Sequence, residues 1–196
     1  LTQLSVHKDF SITANRFMRN YTVFKNNLVA AEQVEVHHGL VLGNPSSKKE
    51  IIFVTNPFCG HCEKAQKQMS NLLMIPDLDL RLVIQFSNDI SNSDTEERDL
   101  CLQLVSIYLN AGPQKFLEAM NHWYELKDVK KWMEKYEGKL SENCESVLLQ
   151  SYQWTLLANT FHTPTFFLNG YRYPKEFSRN HLEYFVMEFI DDESFS

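Results

Sequence analysis

The chain has 196 residues, of which 43% are hydrophobic and 13% aromatic. That is enough for the core of one large domain, or of a smaller domain with an insertion, and it excludes a disordered chain. A net charge of −6 without a long basic run points away from nucleic acid, and no apolar run reaches the roughly 18–20 residues of a membrane-spanning helix.

Four cysteines are too few to build a disulfide scaffold. The chain starts at Leu1, not Met, and has no charged n-region, apolar h-region or cleavage pattern. The expectation is a mature form or a soluble piece of a larger protein.

Residues 9–30 carry Phe10, Phe17, Tyr21, Phe24 and Leu28 at helical spacing, which predicts a helix. Residues 33–42 are β-rich around Gly39 and predict two short strands or one bent strand. A turn cluster at 44–49 precedes the continuous apolar run 51–55, as in a strand buried on both faces. Asn56-Pro57 ends that strand. Cys59 then opens a predicted helix with Ala65, Met69, Leu72 and Leu73 inward, until Pro76-Asp77 breaks it. Residues 80–86 alternate as a second strand, completing a β–α–β unit with two cysteines at its β–α turn.

Residues 92–160 read as wholly helical. One helix covers 94–110. Pro113 stands where a first-turn proline belongs, ahead of Phe116, Leu117, Met120, Trp123 and Tyr124. Val129, Trp132, Met133 and Tyr136 repeat the helical period. Ser141 or Asn143 would cap a last long helix, with Val147, Leu148, Ser151, Trp154 and Leu157 inward. Strand signals resume at 165–168. Asn169-Gly170 is a hairpin turn with 171–173 as the return strand, and Ser178 would cap a final helix burying Leu182, Phe185, Val186, Phe189 and Ile190.

The residues with chemistry lie in Phe58-Cys59-Gly60-His61-Cys62. Disulfide exchange needs a thiolate, and an ordinary cysteine titrates near ~8.5. Cys59 at a helix N-terminus would meet unpaired amides and the positive end of the dipole, which favour the anion. His61 would add to this if protonated or donating a hydrogen bond. Cys62, about one turn deeper, would be shielded. Cys59 would then exchange with a client sulfur and Cys62 would resolve the mixed disulfide.

A lone Cys-X-X-Cys is also half of a zinc site. Two more ligands are needed, and Cys101 and Cys144 lie singly on predicted helices, with His37-His38 the other donors. A structural disulfide closing so short a loop gains little. We expect no metal and no cofactor. Pro164 follows Thr163, and X-Pro is the common cis peptide. On sequence physics, a cis bond and a trans proline starting a strand stay equally open. In the cis case the Thr163 backbone would face the dithiol and could pair with an extended client segment.

Asn56-Pro57-Phe58-Cys59-Gly60-His61-Cys62 together with Thr163-Pro164-Thr165-Phe166-Phe167 resembles the thioredoxin superfamily. The helical stretch between the motifs resembles DsbA-type disulfide oxidoreductases. More narrowly, VTNPFCGHC, HWYELKDVKKWMEKY and TPTFFLNGYRYP are similar to the thioredoxin-like domain fused to bacterial homologues of vitamin K epoxide reductase.

The resemblance implies an α/β thioredoxin-like fold with an N-terminal helical extension (1–32), a first half (33–91), a helical insertion (92–160) and a second half (161–192). It implies a cis Pro164, with Phe58, Thr163 and Pro164 facing the substrate. Cys59 would be the nucleophile and Cys62 the resolving thiol, with Gly60 and His61 tuning the potential. The implied partners are protein thiols and a membrane-bound, quinone-reducing domain of vitamin K epoxide reductase type. The implied location is extracytoplasmic, in a bacterial periplasm, with electrons leaving the dithiol for that partner. A reductase or isomerase, or a binding or chaperone module with a structural disulfide, are the alternatives.

One departure stands out. The family commonly places a buried acid where this chain has Phe53, which leaves Glu63 and Lys64 as the nearest titratable candidates. Elsewhere, Cys101 and Cys144 could pair in the helical block or simply fill space. His162 could border the site or be an ordinary loop residue. Trp123, Trp132 and Trp154 are expected in the core, with a substrate groove the lesser reading. His37-His38 are expected on the surface, and Glu96-Glu97-Arg98-Asp99 as a solvated first turn.

Overall fold

The apolar runs around Ile52 and Val83 form the two central strands. In the computed structural model, which describes residues 3–92 and 95–195 with side chains from residue 10 on, β2 (Glu50–Thr55) and β3 (Arg81–Phe86) run parallel, with Ile52 opposite Val83 and Thr55 opposite Phe86. Every residue of both strands after the first is buried, as suits strands covered on two faces. β1 (Leu40–Gly43) pairs antiparallel with β3. β4 (Thr165–Leu168) pairs antiparallel with β2 and carries β5 (Tyr171–Arg172) at the edge. The sheet order is β1-β3-β2-β4-β5.

Of the β-rich stretch 33–42, only the part from Leu40 joins the sheet. The earlier part contributes a single bridge, Gln33 to Tyr171. The return strand also stops short of Tyr173, although its amide still donates to Phe166 O at 2.9 Å. Between β4 and β5, Asn169 and Gly170 both take positive φ, 43° and 81°. That is the two-residue turn whose twist matches a hairpin.

The helix expected over 9–30 is two helices, α1 (Gln3–Met18) and α2 (Tyr21–Leu28). Asn20 makes the break by accepting from Val23 N at 3.1 Å, a side-chain cap that starts a new helix. Only α2 is seated. Phe24 stacks on Phe185 at 4.1 Å and Leu28 is buried, whereas Phe10 and Phe17 are exposed.

α3 (Cys62–Leu73) crosses from β2 to β3 and buries Ala65, Met69 and Leu72, with Leu73 half-buried. Four helices separate β3 from β4: α4 (Thr95–Ala111), α5 (Pro113–Leu126), α6 (Val129–Tyr136) and α7 (Cys144–Leu157). The expected start of α4 at Asp94 lies outside the described residues. Pro113 is the first residue of α5, as its position predicts. Asn143 stands at the cap position of α7 without a capping bond from its side chain. Leu157, expected inward, is 83% exposed. The buried stripe of α7 runs from Leu148 through Ser151 and Thr155 to Ala158, and at 100° per residue Leu157 falls opposite it.

Trp154 and Ala158 cover one face of the sheet with Phe167, Ile52, Val54 and Val83. The other face carries the larger core, which takes in α2, α3, α4, α5 and α8 (Leu182–Asp191). Ser178 accepts from Asn180 N at 3.2 Å and caps a single 3-10 turn, Arg179–His181, ahead of α8 rather than α8 itself. No helix of the described residues is long and apolar enough to cross a membrane.

Candidate active site

Beyond Thr55 the chain turns sharply. Asn56 Oδ1 accepts from Phe58 N at 2.8 Å, and Asn56 O accepts from Cys59 N at 3.0 Å. Cys62 N donates to Cys59 O at 3.0 Å, and α3 begins only at Cys62. Cys59 therefore lies in the turn ahead of the helix instead of opening it. Asn56-Pro57 holds the backbone in this tight turn, which delays the helical ladder. The amides of His61 and Cys62 consequently point at the Cys59 sulfur.

The two thiols have opposite surroundings. Cys59 is half-buried and donates to Thr163 O at 3.3 Å. Burial works against its anion. Hydrogen bonds from Thr163, from Cys62 and from the His61 and Cys62 amides outweigh that and bring the thiol below its ordinary value. Cys62 has no solvent exposure. Burial pushes it up to about 11, against weaker opposition from Asn56, Thr55 and Thr163, which favour the anion. One thiol is thus lowered toward ionisation and its neighbour is held as a shielded thiol. That pairing permits attack at one atom followed by resolution from within.

The Thr163–Pro164 peptide is cis. Pro164 is buried, and its carbonyl accepts from Arg179 Nη1 at 2.9 Å. The structure brings Phe58, Cys59, Gly60, His61, Cys62, Thr163 and Pro164 together around one surface. His61 differs from expectation in one respect. Its imidazole is exposed, and its hydrogen bond toward Cys59 comes from the backbone. A side chain added at Gly60 would meet nothing, so steric need does not explain that glycine.

Glu63 and Lys64 do not replace the missing acid. Both are exposed and engaged elsewhere, Glu63 with Lys127 and Lys64 with Asn180. Helix α3 turns them outward as it carries Cys62 inward. Phe53 fills the acid's position as a core residue, stacked on Phe166 at 4.9 Å.

For Trp123 the lesser reading from sequence, a place in the groove, describes the part played by α5 better than a plain core position. Trp123 is buried, but in the wall of the site: its Nε1 donates to Pro57 O at 2.7 Å and its ring packs against Phe58 at 5.0 Å. Tyr124 donates to Asn56 O at 3.3 Å. With Cys59, Glu63 and Lys127, these residues border a cavity of about 500 Å³. The spacing of tryptophans along a helix carries no hint of a partner on another element, so only the fold reveals it. Trp132 and Trp154 are core residues.

Cys101 and Cys144 are free thiols buried in the main core, and burial raises the Cys101 thiol. His162, His37 and His38 are exposed. In the segment Glu96-Glu97-Arg98-Asp99, Glu97 accepts from Asn88 and Arg98 pairs with Glu145 at 3.1 Å, so that turn is more engaged than a solvated one.

No protein-family model and no curated protein sequence matches the chain. Solved structures do. A periplasmic thioredoxin-like protein from Salmonella enterica serovar Typhimurium is similar over 78% of this chain and 90% of its own, with a TM-score of 0.62 at 15% identity. The catalytic domain of Proteus mirabilis ScsC is similar over 86% of this chain and 99% of its own, with a TM-score of 0.65 at 13% identity. The thiol-disulfide exchange protein α-DsbA2 from Wolbachia pipientis is similar over 90% of this chain and 97% of its own, with a TM-score of 0.58 at 12% identity. At such identities the likeness defines the fold, which is thioredoxin-like, of the DsbA and ScsC type.

Proposed function

We propose that this chain is a thiol-disulfide oxidoreductase acting on protein thiols. One observation carries the reading: a half-exposed Cys59 with its thiol lowered, beside a fully buried Cys62 with its thiol raised, under the cis Thr163–Pro164 turn. Cys59 is the exchanging sulfur and Cys62 the resolving one. Phe58, Thr163 and Pro164 receive the client segment, and Gly60 and His61 leave the approach open. Residues 33–91 and 161–192 form the two halves of the thioredoxin-like unit, after an extension at 1–32, and 92–160 is an insertion that walls the site.

The favoured direction is disulfide formation. A lowered Cys59 thiol stabilises the reduced pair, which makes the oxidised pair a better disulfide donor. Electrons would pass on to a membrane partner of vitamin K epoxide reductase type, on the extracytoplasmic side, in a bacterial periplasm. The sequence resemblance supports this direction, and the periplasmic thioredoxin-like structure from Salmonella supports the place. A reductase or isomerase is the competing role for the same dithiol.

The test is to trap the client. A Cys62→Ser variant keeps the attacking sulfur and removes the resolving one. We expect it to accumulate mixed disulfides with a disulfide-linked peptide dimer, one peptide leaving as its thiol, seen as mass adducts on Cys59 that dithiothreitol releases. Absence of adducts on Cys62→Ser, with turnover also absent in the parent, would return the dithiol to a structural role.

A further inference from the structure

Something must meet the charge that forms on Cys62 where Phe53 replaces an acid. When a client thiolate attacks Cys59 of the oxidised pair, a Cys59–client bond forms and the Cys59–Cys62 bond breaks. The electron pair leaves on Cys62, which then takes up the proton that the client thiol gave to water on ionising. In the reverse step the Cys62 thiol loses that proton, its thiolate attacks Cys59, and the client departs as a thiolate that is reprotonated by water. No other oxidant or reductant enters. Both steps pass through negative charge on a sulfur without solvent exposure, where an unpaired charge is strongly disfavoured.

Thr55 ends β2 directly before the dithiol turn. Its backbone is satisfied, with the carbonyl accepting from Ser87 N at 3.0 Å. Its side chain is 0% exposed, and the hydroxyl, which lies beside both Cys62 and Tyr124, forms no hydrogen bond among the described residues. A buried orphan hydroxyl is destabilising. It makes sense where the partner exists only transiently. The Cys62 anion is such a partner, and Thr55 opposes the effect of burial on that thiol. The ionisable neighbours of Cys62 are Cys59 from the turn and Tyr124 from α5, with Cys101 of α4 beyond Tyr124. Burial keeps the Tyr124 hydroxyl protonated.

We propose that the Thr55 hydroxyl is the internal hydrogen-bond donor to the Cys62 thiolate as it leaves or attacks, stabilising the charge without itself carrying the proton. The inference rests on the exchange reaction proposed above. Thr55 thereby acts on a reacting atom. At neutral pH neither end state carries the Cys62 anion, because the oxidised form has no thiol and the reduced form holds it protonated. Thr55 therefore sets the rate and leaves the equilibrium alone.

The experiment follows the rate at which reduced glutathione opens the oxidised protein, by quenched alkylation. Thr55→Val keeps shape and strand preference and removes the donor. It should slow opening by at least about tenfold, the effect of one hydrogen bond to a charged group. Thr55→Ser should restore the rate. The redox equilibrium and the pH midpoint of Cys59 alkylation should stay at parental values in all variants. Thr55→Ala should behave as Thr55→Val and serves if the valine variant does not fold. Parental rates in both donor-less variants would overturn the inference, as would a serine variant as slow as the valine one. A parent that does not exchange at all would instead overturn the exchange reading on which the inference stands.

Discussion

Trp123 donates its indole N–H to the carbonyl of Pro57 at 2.7 Å. This one bond ties α5, far along the chain, to the turn that presents Cys59. The ring also supports Phe58, the exposed lip next to the exchanging sulfur. Replacing it with phenylalanine keeps most of the packing and strands the Pro57 carbonyl. Trp123→Phe should lower stability by about 1–3 kcal/mol, the effect of an unsatisfied buried acceptor. A lower urea midpoint at unchanged m would check it.

The two thiols should separate by pH. In the reduced protein, iodoacetamide should label Cys59 with a midpoint below that of an ordinary thiol, while Cys62 stays unlabelled until near its value of about 11. Stability follows with opposite signs. Just below the ordinary thiol value the unfolded chain holds more of the Cys59 proton than the folded one. Stability therefore rises with pH there, and is lost as pH falls through the folded Cys59 value. Between the ordinary thiol value and about 11 the unfolded Cys62 ionises while the folded one stays protonated, and stability falls as pH climbs. Urea midpoints across this range, compared between reduced and oxidised protein, isolate the contribution.

Phe58 is 41% exposed beside Cys59, and its value lies in what a client buries against it. Phe58→Ala should slow exchange with a cysteine peptide carrying leucine or phenylalanine next to the thiol by roughly five- to tenfold, the worth of partial apolar burial. Exchange with glutathione, which has no such side chain, should keep the parental rate. Equal losses on both substrates would place Phe58 in the structure of the turn instead.

The hairpin makes a prediction away from the chemistry. Gly170 has φ of 81°, and an added Cβ would run into the carbonyl of Val34. Gly170→Ala should destabilise by more than ~1 kcal/mol, since both the conformation and the space oppose it. A thermal midpoint well below the parent's checks this, with glutathione exchange in the folded fraction unchanged.

What the sequence made legible was local. The continuous apolar run through Ile52, the Asn169-Gly170 turn and the leading Pro113 each carry their signal within a few residues, and each forms the expected element. The dithiol and Thr163-Pro164 were legible as motifs, and the fold brings them into contact at 3.3 Å. The failures come from tertiary choices. Asn20 splits a periodic helix by capping a new one, and the face of α7 is set by which side meets the sheet, which leaves Leu157 outside. Glu63 and Lys64 looked close to Cys62 along the chain but leave α3 on its outer side. Thr55 looked like an ordinary strand residue. Its orphaned hydroxyl is visible only once the strand, the turn and α5 are assembled.

The most direct test of the whole account is the equilibrium of the Cys59–Cys62 pair in a glutathione redox series, read by alkylation and mass spectrometry. The account predicts a single two-electron transition with a potential of around −120 to −200 mV, the range of disulfide donors. A potential near about −270 mV would contradict the oxidase reading and make the protein a reductase. A pair that fails to exchange with glutathione would contradict the redox function itself.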